Sequence, residues 1–331
     1  MSLTLLERVS KKLDRTLDGW TAPAGLRRIM DGKITCLLYH RVVQDHERPW
    51  IEQGGVPVTR PSSFEHHLKL LKEIGCRFFT LQQIAAGQYP EPDEAGVVVT
   101  FDDGFADNFR VAQPMLDQAG ISAVFFVTSG LMEAVECNWD HQICWYLSQS
   151  AARDVATRLV KDVVGEVVNS RGVAWTWRHL LTPVQVRPIL HRLREQFGPI
   201  PVSEQTGLYG TWDDLRKAVS AGHEIGSHTV NHPMRHTLTQ SEFETELVES
   251  KQCLERHLGS PVTSFSFPFN SFLFSDAELC QRCGYSAVAT VESGRLNRKS
   301  SLLEIPRRTV FRVHNDLTAF KALLCQERWA S

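Results

Sequence analysis

The stretch Thr100-Phe101-Asp102-Asp103-Gly104 constrains this chain more than any other. It follows Gly96-Val97-Val98-Val99, an apolar β-branched run that reads as a strand buried on both faces. Two adjacent carboxylates therefore stand at the C-terminal end of a buried strand, and Gly104 opens the turn behind them. Ligands gather at that end of the strands in barrels and open α/β sheets. Adjacent ionised acids repel unless something positive lies between them. A cation ligated by one of them leaves the other free to act as a base. Asp-Asp-Gly is also ordinary turn chemistry, so this stretch by itself leaves a solvated turn open.

A length of 331 residues suits one α/β barrel carrying an insertion. Lys and Arg number 36 against 38 Asp and Glu, a formal charge of -2, which gives no electrostatic reason to expect a nucleic-acid partner. No apolar run reaches membrane-spanning length, and the N-terminus lacks the basic, apolar, small-residue order of a signal peptide. Together with eight cysteines, this points to a reducing, cytoplasmic location. Cys280-Gln281-Arg282-Cys283 is the sole CxxC; with no second pair at zinc-ribbon spacing it reads as structural.

Residues 1–32 form an expected helical extension. Leu5, Val9, Leu13 and Leu17 recur at helical spacing over 3–18, with Arg8, Lys11, Lys12 and Arg15 among them. Packing on the body is the expected role, with peripheral contact to the inner face of a membrane as the alternative. From residue 33 a βαβ rhythm sets in. Strands are expected at Ile34–Leu38, Gly96–Val99, Ser122–Thr128, His223–Ser227, Thr263–Phe267 and Tyr285–Thr290, with Ile305–Arg308 as the last. Helices are expected at Ser63–Ile74, Leu81–Ala86, Asp107–Gly120, Trp212–Ala221, Glu242–Leu258, Ser275–Cys283 and near the C-terminus. Roughly seven core strands alternating with helices imply a distorted (β/α)7-type barrel, of class α/β, rather than an open sheet.

The rhythm is interrupted over 131–209, which is helical in periodicity and rich in Trp and Arg. This divides the chain into barrel segments 33–130 and 210–325 around a helical insertion that could form a lid or substrate groove. Trp139, Asp140, Trp145 and Trp177 in it could meet sugar rings, or pack a small core of their own. Past the fourth strand, His228 and His232 stand at i and i+4. On a helical turn that spacing lets both imidazoles reach one ion. With Asp103 they supply two nitrogens and one oxygen, a donor set suited to a catalytic zinc-type site that keeps a position open.

Thr100–Gly104, Ser227–His232 and Phe265-Ser266-Phe267-Pro268-Phe269 follow one another in the order found in NodB-homology polysaccharide deacetylases, carbohydrate esterase family four. The chain resembles that family from about residue 33 to about 320, apart from the insertion. The histidine pair is one residue further apart than in the usual motif. The resemblance implies that Asp102 is the general base and that Asp103, His228 and His232 hold a divalent metal: Zn2+, with Co2+, Ni2+ or Mn2+ as alternatives. It further implies that Phe269, after Pro268, lends a backbone N–H to the oxyanion and walls the acetyl pocket. Tyr39, Pro268, Phe269 and Trp139 are the expected substrate contacts.

Two departures bear on the site. The family often carries an Arg two residues before that Pro, where this chain has Ser266; Arg307 is the candidate substitute. The family's C-terminal Leu-x-His, source of the general acid, is missing, since His314 follows the wrong context. Leu38-Tyr39-His40 supplies it at the N-terminus instead, so His40 is assigned as acid. This order resembles the permuted branch of exopolysaccharide or lipopolysaccharide-core deacetylases. The implied substrate is an N-acetylated glycan or glycolipid. Three other readings stay open: a deformylase of a lipid-linked formamido-sugar, an inactive glycan-binding relative, and a phosphotransfer enzyme with Asp102 as nucleophile.

Overall fold

A computed structural model describes residues 22–44, 47–165, 172–292 and 294–326; the helix expected over 3–18 lies outside them. The strands are β1 (Ile34–Tyr39), β2 (Arg41–Val42), β3 (Val58–Thr59), β4 (Arg77–Phe78), β5 (Gly96–Phe101), β6 (Val124–Val127), β7 (Glu224–Ser227), β8 (Ser264–Ser266), β9 (Ala287–Ala289) and β10 (Arg307–Thr309). The main sheet is parallel and runs β10-β1-β5-β6-β7-β8-β9, with β4 beside the start of β5. It closes on itself through Ile305, just before β10: Ile305 N–H donates to the Val288 carbonyl at 2.8 Å and Thr290 N–H to the Ile305 carbonyl at 2.8 Å. The result is a nearly closed α/β barrel.

Every residue of β1 and β5 is buried, because one face meets the barrel interior and the other the helix layer. The alternation along each strand decides which side chain goes where. Val97, Val99 and Phe101 of β5 join the core beneath the helices, while Val98 faces inward with Ile34, Cys36, Val124 and Phe126. The same phase carries Thr100 and Asp102 inward. On β1 it turns Leu37 and Tyr39 outward, and His40 onto the interior side.

The helices fall close to the sequence expectations: Pro61–Ile74, Leu81–Ala85, Trp212–Ser220, Gln240–Leu258, Asp276–Arg282 and Leu317–Cys325. The element expected over 107–120 differs, opening as a π turn at Asn108–Ala112 before the α-helix Gln113–Ala119. There Asn108 Nδ2 donates to the His40 carbonyl at 2.6 Å. The described part of 131–209 contains the helices Trp139–Ser148, Ser150–Val164, Gly172–Leu180, Pro183–Phe197 and Val202–Gln205. Trp177, Leu193, Ala152, Ala156 and Val160 in it are without solvent exposure and join the same apolar cluster as the core beneath the barrel helices. Among the described residues no helix is long and apolar enough to cross a membrane.

Candidate metal centre and catalytic cavity

Four strand ends converge on one cavity of about 450 Å³ whose wall includes His40, Asp102, Asp103, His228, His232 and Phe269. Asp103 takes a left-handed backbone, φ 75, which sends its carboxylate away from the inward line of Asp102. Gly104 follows at φ +77, and a Cβ there would come within 2.9 Å of Met132 Cε. The order Asp-Asp-Gly is thus what lets two successive carboxylates diverge.

Asp103 Oδ1 lies 3.4 Å from His228 Nε2 and 3.1 Å from His232 Nε2. One donor atom from each of the three buried residues falls within 4.8 Å of the others. Ligands of a tetrahedral ion with bonds of roughly 2.0–2.1 Å stand about 3.3 Å apart, so the set fits a divalent cation. His228 supports the fit: its Nδ1 is 2.7 Å from the Ser266 carbonyl, which requires Nδ1–H and leaves Nε2 as a lone-pair donor. Burial pushes the Asp103 carboxyl up, but His232 and His228 beside it hold it well below the usual carboxylate range. For His232 burial works downward, while Asp103 and Asp140 bring the net direction up.

The two histidines do not share a helical turn, contrary to the spacing argument. Residues 228–232 form a loop in which Thr229 (φ 67) and His232 (φ 55) are left-handed. Glu246 holds that loop, accepting from Val230 N–H at 2.7 Å, Asn231 N–H at 3.0 Å and Asn231 Nδ2 at 2.7 Å. Ser250 Oγ donates to the Thr229 carbonyl at 3.0 Å. The i, i+4 spacing brings the rings together, with centroids 5.0 Å apart, through loop geometry.

Asp102 is gripped from β10. Arg307 Nη1 donates to Oδ1 at 2.7 Å and Nη2 to Oδ2 at 2.8 Å, the bidentate geometry that suits a guanidinium. Arg307 also donates to Ser266 Oγ at 2.6 Å, Thr100 Oγ1 at 3.1 Å and the Thr290 carbonyl at 3.3 Å, and lies 5.1 Å above the Phe126 ring. The short side chain of Ser266 leaves room for this guanidinium. Burial pushes the Asp102 carboxyl up, yet Arg307 brings the net shift down. His40 Nδ1 is buried with no hydrogen-bond partner. Burial lowers the His40 imidazole, against the pull of Asp103 and Asp102.

The expected substrate contacts separate. Phe269, φ 56, sets its ring 4.5 Å from that of His232. Trp139 lies behind, its ring 6.0 Å from Phe269 and its Nε1 donating to the His232 carbonyl at 3.3 Å. Pro268 is buried off the cavity wall. Tyr39 is corrected: it is without exposure, and its hydroxyl is 3.2 Å from His67 Nδ1. Strand alternation points it into the helix layer, so it does not reach the cavity. Trp177 is likewise fully buried, and Trp145 packs edge-on against Trp50.

Asp140 is 2% exposed, lines the cavity and brings Oδ2 to 3.9 Å from His232 Nδ1, beside the donor set. Sequence reasoning missed this placement, as it missed Glu246, Thr100 and Ser266 as supports. The strand phase was the available signal for Thr100 and Ser266. No pattern marks Asp140 or Glu246.

A family model described as polysaccharide deacetylase matches residues 89–288, more than half of the chain. The chain belongs to the polysaccharide deacetylase family. The family match begins after β1 and ends within β9, so His40 and Arg307 lie outside it. The deacetylase fold is shared with solved structures. The Streptococcus pyogenes deacetylase PplD, in complex with acetate, is 17% identical and covers 90% of this chain and 99% of that one at a TM-score of 0.59. IcaB from Ammonifex degensii is 20% identical, covering 89% and 98% at 0.58. A de-N-acetylase from Aggregatibacter actinomycetemcomitans is 17% identical, covering 84% and 95% at 0.53. The Bacillus subtilis (strain 168) protein YxkH is 20% identical over 302 residues, 91% of this chain and 77% of that protein.

Proposed function

We propose that the protein is a metal-dependent N-deacetylase that removes the acetyl group from an N-acetylglucosamine-type amino sugar of a cell-envelope glycan or its lipid-linked precursor. The observation that carries this reading is a pair of adjacent acids with different partners on one cavity. Asp103 joins His228 and His232 as a donor set, while Asp102 is withheld from it by two bonds to Arg307. A divalent cation on that set, zinc by donor type, would polarise the amide carbonyl and acidify a bound water. Three protein donors leave it an open position. A relative that is a de-N-acetylase by name supports amide chemistry.

Each remaining task falls to a named group. Asp102, ionised at neutral pH and fixed by Arg307, accepts a proton from the attacking water. The ring of Phe269 walls the pocket beside His232, and its backbone N–H serves the oxyanion. His40 hands a proton to the leaving amine, because the C–N bond would otherwise have to expel an amide anion.

Acetate release by zinc-loaded protein from N-acetylglucosaminyl glycans tests the reading. Asp102→Asn is expected to retain metal and lose roughly 10²–10⁴-fold in rate, the span of a general base. His228→Ala is expected to lose both metal and activity. A fully active His228→Ala protein, or no acetate from any acetylated glycan, overturns the proposal.

A further inference from the structure

A second cleft, of about 590 Å³, lies between the inserted helices and the barrel, and Trp139 in its wall stands 6.0 Å from the ring of Phe269 on the catalytic cavity. Its back wall is the ligand loop itself, through Asn231 and Pro233, which flank His232. The volume is that of a small-molecule site. Leu181, Val186 and Leu190 line it from the insertion, and Leu131, Met234 and Leu238 from the barrel side.

Most hydrogen-bond donors in this wall are spent within the protein. Glu246 accepts from the backbone of Val230 and Asn231, and from the Asn231 side chain. Glu242 accepts from Thr239 at the cap of its helix. Thr237 Oγ1 donates to the Met234 carbonyl at 2.7 Å and Thr245 Oγ1 to the Ser241 carbonyl at 3.0 Å. Two donors remain for a ligand among the described residues of this wall, the exposed Arg187 and Asn138 Nδ2, with Asn231 Oδ1 and Glu242 Oε1 open as acceptors. Asn138 is 7% exposed, and its Nδ2 is buried with no hydrogen-bond partner. Its Oδ1 caps Trp139 N–H at 2.9 Å, which fixes which end of the amide is the donor.

Six aliphatic side chains against two free donors suit a hydrocarbon, which needs no hydrogen bonds, better than a sugar chain, whose hydroxyls need many. We propose that this cleft is the aglycone site and holds an aliphatic chain attached to the acetamido sugar. Asn138 would then meet the linking oxygen where the chain passes Trp139. The inference rests on the deacetylase reading for the sugar and narrows the substrate to a glycolipid.

Two measurements separate the two readings. Calorimetry with octyl β-glucoside, kept monomeric, against methyl β-glucoside uses ligands that bear no acetyl group. The octyl compound is expected to bind the wild-type protein at least tenfold more tightly. Leu190→Trp and Leu238→Trp, filling the cleft from opposite walls, are each expected to abolish that difference. Acetate release from the corresponding N-acetylglucosaminides is expected to show the same octyl preference, lost in both variants while the methyl compound is unaffected. Equal binding of octyl and methyl glucosides, or a preference that survives both variants, overturns the aliphatic site. So does a rate advantage confined to longer chito-oligosaccharides and removed by Leu190→Trp, which would assign the cleft to sugar units. If octyl glucoside binds as expected but neither N-acetylglucosaminide releases acetate, the deacetylase reading fails and the cleft stands.

Discussion

The Asp102–Arg307 pair shows what one residue can decide. A buried carboxylate alone would prefer to be protonated. Two charge-assisted bonds reverse this, and the net direction of the Asp102 shift is downward. Lys cannot reproduce the fork, because it offers a point charge. Arg307→Lys should therefore let burial raise the Asp102 pKa, and the acid limb of the kcat/KM profile should move to higher pH. An unmoved limb with an altered rate would mean that Arg307 does not set the charge of Asp102. Arg307 could be named from the sequence only as a replacement for a motif residue missing at Ser266. Its partners could not, because they come from four strands whose relative heights depend on register: Cys36 sits opposite Arg307, and Tyr39 opposite Phe101. Tyr39 shows the converse error. Its neighbour His40 and the acid Asp102 share one phase of the strand alternation, and Tyr39 has the other.

At the scale of elements, the loop after β7 that carries His228 and His232 is held from outside. The rings of His228 and His232 depend on a left-handed path that Glu246, on the helix Gln240–Leu258, braces with three hydrogen bonds. Partners that orient metal ligands typically carry 10–100-fold in affinity. Glu246→Ala should weaken zinc binding by about that factor in a chelator competition, with an unchanged far-UV spectrum. Unchanged affinity would show that the loop holds its own shape. The strands were legible because apolar β-branched runs bounded by turn residues mark them. The loop was mistaken for a helical turn because i, i+4 spacing satisfies both conformations.

The molecule as a whole is closed by packing between distant segments. His67, on the helix Pro61–Ile74, stacks on Phe320 of the C-terminal helix with centroids 3.7 Å apart. Its Nε2 is 2.7 Å from the His314 carbonyl, so Nε2–H donates there and Nδ1 accepts from the Tyr39 hydroxyl. Burial lowers its pKa from 6.5 to about 4. Between those values the unfolded chain binds a proton that the folded one refuses. The contribution is therefore complete above pH 6.5 and is lost as pH falls toward 4, by on the order of 3 kcal/mol. Urea midpoints at pH 7 and pH 5 should differ less in His67→Gln than in the wild type, and an equal difference would discard the assignment.

By itself the sequence determined the alternation of buried strands with helices, the inserted helical stretch, and the acids and imidazoles proposed to bear the chemistry, because each of these is written in local periodicity, spacing and motif order. Only the tertiary structure decided which face each side chain took, how Arg307 reached Asp102 from the last strand, and that Asp140 and a second cleft came to lie against the histidine loop. Those outcomes depend on strand register and on how the insertion packs, and both are settled by contacts between segments far apart in the chain.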